Sequence, residues 1–492
     1  MNIENPTIKA AAAFYKHSRK VQLARAHLAA LASEVCISAR AHEQREFALT
    51  ELPALLDSGE IDCTAQGVAI DSIAAAWMMC SYGSSRGKHI VKVSMNRLIE
   101  RELQAAGTLK DYPYPVHAFN YDYKAPFNAT KPRVLVISSF FRSKHAVYRW
   151  YGPSIEAMRD AFSLHGLFFT DIDGDAAKVF ERVTVAQMVP ADFFQQLKSV
   201  VQLIESHAPD IILYADAAMH PFSVFTVNMW LAPLQLLLSG HPASSYSRHI
   251  DYFLHEQAYA DCFGDFTEKP LLFPSEHMAM HRTEKPPVAP RETGNGKIRI
   301  LAPATLPKLS RPYVSMLGSI MSELSPSKFE LHITTHASDE QHAQVSRDIT
   351  EALGQCAQSN VIIYKRLPTD RYFALVDQCD LFLNPFPFQS STMIVDCLER
   401  GMPGISMCGN ELMTRQGAGA MRKFGRADAR YIASGEAEYL VKALNLAREI
   451  GDVPIPLQRA TDMIPCYRVP PCESIYTNPS HGMRDAILRV LG

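Results

Sequence analysis

Three consecutive hydroxyl side chains open a helix-like segment inside Cys379–Gly409, CDLFLNPFPFQSSTMIVDCLERGMPGISMCG. Ser390, Ser391 and Thr392 follow an apolar strand and a Pro/aromatic loop. Free backbone N–H groups and the positive end of the helix dipole make this position suitable for a phosphate. Asp396 lies about one turn further on, where a carboxylate can accept hydrogen bonds from ribose hydroxyls. A capped helix without a ligand is the alternative interpretation of the same pattern.

The elements that must position these residues form one βαβ unit. Apolar residues predict a strand at Leu381–Leu383, and a helix is predicted over about Thr392–Arg400, ending at Gly401. A second apolar strand is predicted at Gly404–Met407. Ligands of parallel sheets bind at the carboxyl ends of the strands, which is where the hydroxyl cluster stands.

Composition narrows the classes of function. The 492 residues predict two to three domains, and the net charge of −2, without a long basic run, argues against a nucleic-acid partner. The start lacks a signal-peptide pattern, and Pro233 interrupts the longest apolar run, Met229–Leu238, so no membrane insertion is expected. The ten cysteines have no metal-ligand spacing. Reduced thiols in a cytoplasmic protein are therefore predicted.

The order of strand and helix patterns predicts four regions. Residues 1–125 are predicted to form an all-helical domain, either a scaffold or a surface for a protein acceptor. Strands alternate with helices over 130–285 and again over 297–465, which predicts two Rossmann-like domains joined by a Pro-rich linker. The last region, 466–492, is predicted to be a tail whose helix packs back on the first Rossmann-like domain.

Two Rossmann-like domains facing each other across a cleft constitute the GT-B fold, an α/β architecture that is here preceded by an all-α domain. Sugar transfer from a nucleotide diphosphate needs a stabilised leaving diphosphate, an oriented donor and access for the acceptor. Metal-dependent transferases hold a cation with a D-x-D pair. The candidate pair, within Asp171–Asp175, is interpreted as an acidic turn after a strand, so no metal site is predicted.

The sequence resembles a known family in the segment described first. NPFPF at Asn384–Phe388, the hydroxyl-rich turn, Asp396 and GMPGISMCGNE are similar to the nucleotide-sugar segment of the bacterial cytoplasmic N-glycosyltransferases that modify high-molecular-weight adhesins. Those enzymes share glycosyltransferase family 41 with O-GlcNAc transferase, and the similarity extends from about Arg133 to Arg448. The resemblance implies metal-independent, inverting transfer of a hexose, with glucose expected, from a UDP-sugar to Asn in Asn-x-Ser/Thr sequons of a protein or peptide acceptor. It implies no cofactor besides this donor substrate.

The resemblance also assigns residues outside that segment. Thr305-Leu306-Pro307-Lys308 follows the strand KIRILAP and is similar to a Thr-x-x-Lys of the family, which implies diphosphate binding and a catalytic role for Lys308, supported by Thr305. A solvated lysine is the alternative.

His145 lies in a run similar to the family's His-Ser-Ile-Tyr-Arg, which implies a catalytic position in the cleft; helix capping is its alternative. His241, in a Gly-His-Pro-Ala loop, is implied to line the donor site.

One departure from the family limits what can be carried over. Gln389–Met393 replaces the family's Gly-Asn-Thr-Asn-Gly, so Thr392 stands where the family has a sugar-binding Asn. Nucleotide binding is still expected, through Asn384, Ser390, Ser391, Thr392 and Asp396. The sugar and the acceptor atom are open, so the alternatives are an O-linked transferase acting on Ser or Thr and a catalytically silent nucleotide-binding protein.

Overall fold

The computed structural model describes residues 6–63, 67–110, 131–187, 192–289, 296–354, 360–452 and 473–491. A group of helices precedes two parallel β-sheets, and each sheet is covered by helices. Strands buried on both faces explain the continuous apolar runs of the sequence. The predicted α/β class and GT-B architecture are confirmed.

The N-terminal helices pack around their own apolar residues. They are α1 (Pro6–Ala32), α2 (Ala39–Asp57), α3 (Ile70–Met79) and α4 (Val91–Ala105). In α4 the buried Val91, Met95 and Leu98 recur at helical spacing and so lie on one face. Residues 111–125 of the predicted helical domain lie outside the described residues. None of the described helices has both the length and the apolar character that crossing a membrane requires.

The first sheet has seven parallel strands in the order β3-β2-β1-β4-β5-β6-β7. The strands are β1 (Arg133–Ser138), β2 (Ser163–Phe168), β3 (Arg182–Val185), β4 (Ile211–Tyr214), β5 (Leu234–Leu238), β6 (Tyr252–Glu256) and β7 (Lys269–Phe273). The helices of this domain are α5 (Ala146–Glu156), α6 (Gly174–Ala177), α7 (Phe193–His207) and α8 (Pro221–Thr226).

The second sheet has six parallel strands in the order β10-β9-β8-β11-β12-β13. They are β8 (Ile298–Pro303), β9 (Phe329–Thr334), β10 (Val361–Tyr364), β11 (Leu381–Leu383), β12 (Gly404–Met407) and β13 (Ile432–Ala433). Its helices are α9 (Arg311–Ser322), α10 (Asp339–Leu353), α11 (Thr369–Gln378), α12 (Thr392–Glu399), α13 (Gln416–Lys423) and α14 (Glu436–Asp452).

Two further helices end the chain, α15 (Ser474–Thr477) and α16 (Gly482–Leu491). In α16 the buried Met483, Ala486 and Ile487 join the apolar core of the first Rossmann-like domain, which also contains Val134 of β1. The last helix therefore lies on the first Rossmann-like domain, although the second one directly precedes it in sequence, and the chain crosses between these two domains twice.

Strand order defines where a ligand can bind in each domain. In both sheets the first strand of the domain lies in the interior of the sheet. The next two strands in sequence lie on one side of it and all later strands lie on its other side, so that β1 lies beside β4 and β8 beside β11. The loops that leave these neighbouring strands diverge and open a crevice at their carboxyl ends. In the second sheet this crevice is formed by the segments after Pro303 and Leu383.

Candidate functional site

The loop between β11 and α12 is tied to the ends of two strands. Ser390 Oγ donates a hydrogen bond of 2.8 Å to the carbonyl of Pro303, and the Ser390 N–H donates one of 3.1 Å to Asn384 Oδ1. Asn384 Nδ2 in turn donates to Ser406 Oγ at 3.0 Å. Asn384 and Ser390 are fully buried, so their side chains shape the loop from within the protein.

Gln389 fixes the same loop to the next strand and helix. Its Nε2 donates to the Met407 carbonyl at 2.5 Å, and its Oε1 accepts from the Gly417 N–H at 2.6 Å. Gly417 leaves no room for a side chain, because a Cβ there would overlap Asn384 Nδ2 and lie 2.5 Å from Ser406 Oγ. The position of the loop thus depends on a glycine in α13.

We expect Gly417→Ala to destabilise the fold by about 1–3 kcal/mol, because the added methyl group overpacks a buried polar network. Gly264→Ala is the matched control, since a Cβ at Gly264 meets no atom within 4 Å. Denaturant unfolding of both variants measures the difference. Equal stability of the two variants would contradict this description of the loop.

The first turn of α12 has unoccupied hydrogen-bonding capacity. Ser391 stands at the N-cap position, but its side chain makes no capping hydrogen bond. Both Ser391 and Thr392 are half-buried. An uncapped helix start presents free backbone N–H groups and the positive end of the helix dipole to whatever lies in front of it. This end of α12 can therefore bind an anion.

Lys308 stands at the same edge of the sheet. It ends a short 3-10 helix, Leu306–Lys308, which begins three residues after the end of β8, and Thr305 precedes that turn without a side-chain capping bond. Lys308 Nζ lies 5.4 Å from the centroid of the Phe388 ring, and no carboxylate within the described ranges pairs with it. Burial lowers the pKa of Lys308 to about 8. Near neutral pH the site therefore holds a cation with no counter-charge.

Asp396 belongs to a buried group of charges between the two Rossmann-like domains. Its Oδ1 accepts from Arg149 Nη2 of α5 at 2.9 Å and lies 3.5 Å from Lys285 Nζ of the linker. Glu399 pairs with Lys285 and lies 3.8 Å from Arg149 Nη2. Asp396 thus joins α12 to the first domain in this structure, and its predicted contact with ribose stays a prediction.

Sequence reasoning missed Arg149, Lys285 and Glu399. One local signal pointed toward them, because carboxylates at i and i+3 share one helix face and need a cation when that face is buried. The cations are Arg149 of α5 and Lys285 of the linker. No local sequence pattern shows that these two segments pack against α12.

His145 stands at the N-cap of α5. Its Nδ1 accepts a hydrogen bond of 3.4 Å from the Val147 N–H, so the ring performs the capping role that was the alternative to catalysis. Burial lowers its pKa, an effect partly offset by a hydrogen bond with the Phe140 backbone. The imidazole is therefore neutral at pH 7, and its catalytic role stays a prediction.

A buried aspartate holds the loop that precedes His145. Asp216, which follows β4, accepts hydrogen bonds from Ser138 Oγ at 2.7 Å and from the Ser139 and Phe140 N–H groups at 2.9 and 3.0 Å. Burial raises the pKa of Asp216, and these donors oppose the rise. Sequence reasoning assigned no role to Asp216, although its position directly after a strand was visible.

His241 faces the N-terminal helices. It is 5% exposed, and its Nε2 lies 2.9 Å from Ser81 Oγ. Burial holds the pKa of His241 well below its usual range, so the ring is uncharged. The centroid of its ring lies 6.0 Å from that of Phe388, which places His241 behind the aromatic loop of the candidate site.

The acidic turn has a structural role. Asp173 caps α6 by accepting from the Ala176 N–H at 2.9 Å, and it also accepts from the N–H and hydroxyl of Ser143 at 2.7 and 3.0 Å. Within the described part of the chain, no group of three or more His, Cys, Asp or Glu side chains could hold a metal ion.

Comparisons with known proteins agree with this architecture. A family model described as HMW1 domain 2 matches residues 12–103, which cover most of the N-terminal helices. The protein named UDP-glucose:protein N-beta-glucosyltransferase from Actinobacillus pleuropneumoniae serotype 5b (strain L20) is 27% identical over 377 residues, 75% of this chain and 58% of that protein. The protein of the same name from serotype 7 (strain AP76) is 28% identical over a stretch of the same length and coverage. The chain thus spans less than two thirds of the length of these relatives.

Among solved structures, a mutant O-GlcNAc transferase from Thermobaculum terrenum superposes with a TM-score of 0.65 at 16% identity, covering 92% of this chain and 83% of that one. At this identity the superposition establishes a shared fold. Together the matches confirm the resemblance that the motifs indicated, since the chain is similar to proteins named UDP-glucose:protein N-beta-glucosyltransferase and shares its fold with an O-GlcNAc transferase.

Proposed function

We propose that this chain, a relative of the protein N-glucosyltransferases, transfers a hexose from a UDP-sugar to a protein acceptor. One observation carries the proposal: the unpaired ammonium of Lys308 and the uncapped start of α12 stand at the crevice between β8 and β11. A nucleoside diphosphate supplies the negative charge that both groups lack. In the described part of the chain Lys308 has no ion-pair partner and the helix start has no capping side chain, so neither must be freed from such a partner before the donor binds.

The same two groups supply the chemistry of the leaving group. When the bond between the anomeric carbon and the UDP oxygen breaks, negative charge develops on the diphosphate. Lys308 and the N–H groups of α12 are already in place to stabilise that charge, which lowers the barrier without reorganisation of the protein. The acceptor attacks from the opposite face, so the transfer inverts the configuration at the anomeric carbon.

We infer UDP-glucose as the donor and the Asn of an Asn-x-Ser/Thr sequon as the acceptor, because the relatives are named UDP-glucose:protein N-beta-glucosyltransferase. A cytoplasmic location is part of the same proposal. The second candidate is transfer to Ser or Thr, which the neutral imidazole of His145 favours because it can accept the proton of a hydroxyl group.

Calorimetric titration with UDP, UDP-glucose and other UDP-sugars, together with mass analysis of peptides incubated with each donor, tests the proposal. Binding of UDP followed by glucosylation of a sequon peptide is the expected result. Modification of Ser or Thr instead would favour the second candidate. Binding without transfer would leave a catalytically silent nucleotide-binding protein, and no binding of UDP would contradict the proposal altogether.

We expect transfer to continue in excess EDTA, because Lys308 and the helix start take the place of a divalent cation on the diphosphate. Asp171→Ala should leave activity unchanged. Asp173→Ala should lower stability by about 0.5–2 kcal/mol through loss of the α6 cap. Activity lost on chelation and restored by Mg²⁺ or Mn²⁺ would contradict metal independence.

Thr392 provides a test of donor choice. It follows the N-cap of α12, and its family counterpart is a sugar-binding Asn. We expect Thr392→Asn to change the ratio of kcat/KM between UDP-sugars while leaving the affinity for UDP nearly unchanged. A donor panel and a UDP titration measure both quantities. Weaker UDP binding with an unaltered donor preference would show that Thr392 contacts the nucleotide instead of the hexose.

A further inference from the structure

Phe388, the last residue of the NPFPF segment, contacts all three parts of the molecule. Tyr82 of the N-terminal helical region stacks on it, with ring centroids 4.2 Å apart and planes inclined by 15°. His241 of the first Rossmann-like domain approaches within 6.0 Å of its centroid. Lys308 of the second domain places its Nζ 5.4 Å from the same centroid. Phe388 is 5% exposed, so these neighbours enclose it.

Tyr82 is held firmly where it meets Phe388. It ends a 3-10 turn, Cys80–Tyr82, that directly follows α3. Its neighbour Ser81 contacts His241, and Lys88 Nζ pairs with Glu411 Oε2 at 2.5 Å. The segment after α3 is therefore anchored to loops of both Rossmann-like domains.

We propose that Tyr82 is a positioning residue of the donor site: it holds the Phe388 ring, and the ring holds the ammonium group of Lys308. The role of Lys308 toward a diphosphate rests on the proposed function. The N-terminal helical region would then complete the site, although it contributes no group that touches the donor.

Lys308 depends on this ring because little else restrains it. Its ammonium group, at the end of a flexible four-carbon stem, forms no ion pair with the described residues, so the aromatic face of Phe388 is what attracts it. Phe388 in turn packs with Ala243, Met413 and Tyr82. Truncating Tyr82 removes the stacked partner, which frees the Phe388 ring and admits water beside Lys308.

Three titratable groups near Lys308 and Phe388, namely Tyr82, His241 and His336, are uncharged near pH 8. Burial holds the pKa of His241 well below its usual range, and partial desolvation, Arg366 and Lys308 lower that of His336. Burial raises the pKa of the Tyr82 hydroxyl. A titration of Lys308 around pH 8 therefore reports on its own environment.

The first test compares UDP binding by three variants using calorimetry. Tyr82→Ala should weaken the binding of UDP by about 3- to 10-fold, the range expected for losing one aromatic pair. Tyr82→Phe should bind UDP as the wild type does, because it keeps the ring and loses only the hydroxyl. Ile99→Val is the control for stability, because it trims a fully buried side chain of α4 and should lower Tm without changing UDP affinity.

The second test needs no nucleotide. Reductive ¹³C-methylation labels the lysines, the Lys308→Arg variant identifies the Lys308 signal, and its NMR shift is followed against pH. The titration should centre near pH 8 in the wild type and in Tyr82→Phe, and move upward toward the ordinary lysine value in Tyr82→Ala. An unmoved titration in Tyr82→Ala would overturn the inference even if UDP binds. A moved titration in a protein that does not bind UDP would uphold the coupling and overturn only the proposed function.

Discussion

Replacing Lys308 by alanine is expected to lower turnover by roughly 10²–10³-fold, a loss of about 3–4 kcal/mol of transition-state stabilisation. The ammonium group is an unneutralised cation at the crevice, so its removal leaves the charge developing on the leaving diphosphate to the helix start alone. Affinity for UDP should fall as well, because the same charge attracts the diphosphate before reaction. Steady-state kinetics and a UDP titration measure the two effects.

Lys365→Ala is the matched control for Lys308→Ala. Lys365 lies in the same domain, is exposed and pairs with Asp339 at 2.5 Å, so its loss should leave turnover unchanged. Wild-type kinetics in Lys308→Ala would remove the basis for assigning the diphosphate to this crevice.

The pH dependence of UDP binding follows from the same group. Burial lowers the pKa of Lys308 to about 8, so the side chain is protonated below that pH and loses its charge above it. Affinity for UDP should therefore be highest below pH 8 and decline as pH rises. The contribution to folding has the opposite sign: the penalty for burying the charge is present below pH 8 and is relieved between pH 8 and the ordinary lysine pKa of 10.5.

Replacing Arg149 by methionine is expected to destabilise the protein by about 3–5 kcal/mol, because it removes one partner of a buried ion pair and leaves uncompensated charge. Asp396 and Glu399 are both nearly buried, and of the cations that pair with them among the described residues only Lys285 would remain. Methionine keeps most of the apolar volume of the side chain, so the change reports chiefly on charge. Chemical denaturation and Tm measure the loss.

The control for Arg149→Met is Arg248→Met. Arg248 pairs with Glu100 at 3.1 Å but is 59% exposed, so that pair should contribute at most about 1 kcal/mol. Similar stabilities of the two variants would contradict the view that the charges around Asp396 join the domains.

The architecture was predictable because its central strands are buried on both faces and read as continuous apolar runs. Three strands were missed, β3, β7 and the two-residue β13, and all three lie at sheet edges. β3, RVTV, is largely exposed, so it lacks a marked apolar pattern, and β7 begins with Lys-Pro, a pair that an edge strand tolerates but that reads as a turn.

The residues of the candidate site were predictable where their position in the sequence, directly after a strand, determines their location. Lys308 and the hydroxyl residues of α12 each follow a strand, and strand ends meet at one edge of a parallel sheet. The partners of these residues were not predictable. Arg149 lies 247 residues from Asp396, and Tyr82 is even further in sequence from Phe388, so only the packing of the domains brings either pair together. Asn384 and Ser390 make hydrogen bonds within the protein, which sequence reasoning did not foresee, and their contact with the ligand stays a prediction.

The central claim is that the crevice holding Lys308 passes a hexose from a UDP-sugar to a protein. Fragmentation mass spectrometry of a peptide with one Asn-x-Thr sequon, after incubation with UDP-glucose and either wild-type protein or Lys308→Ala, tests it most directly. We expect one hexose on the Asn with wild-type protein, little or none with Lys308→Ala, and none on the matched Gln-x-Thr peptide. Equal modification by both proteins, or no modification by the wild type with any UDP-sugar, would contradict it.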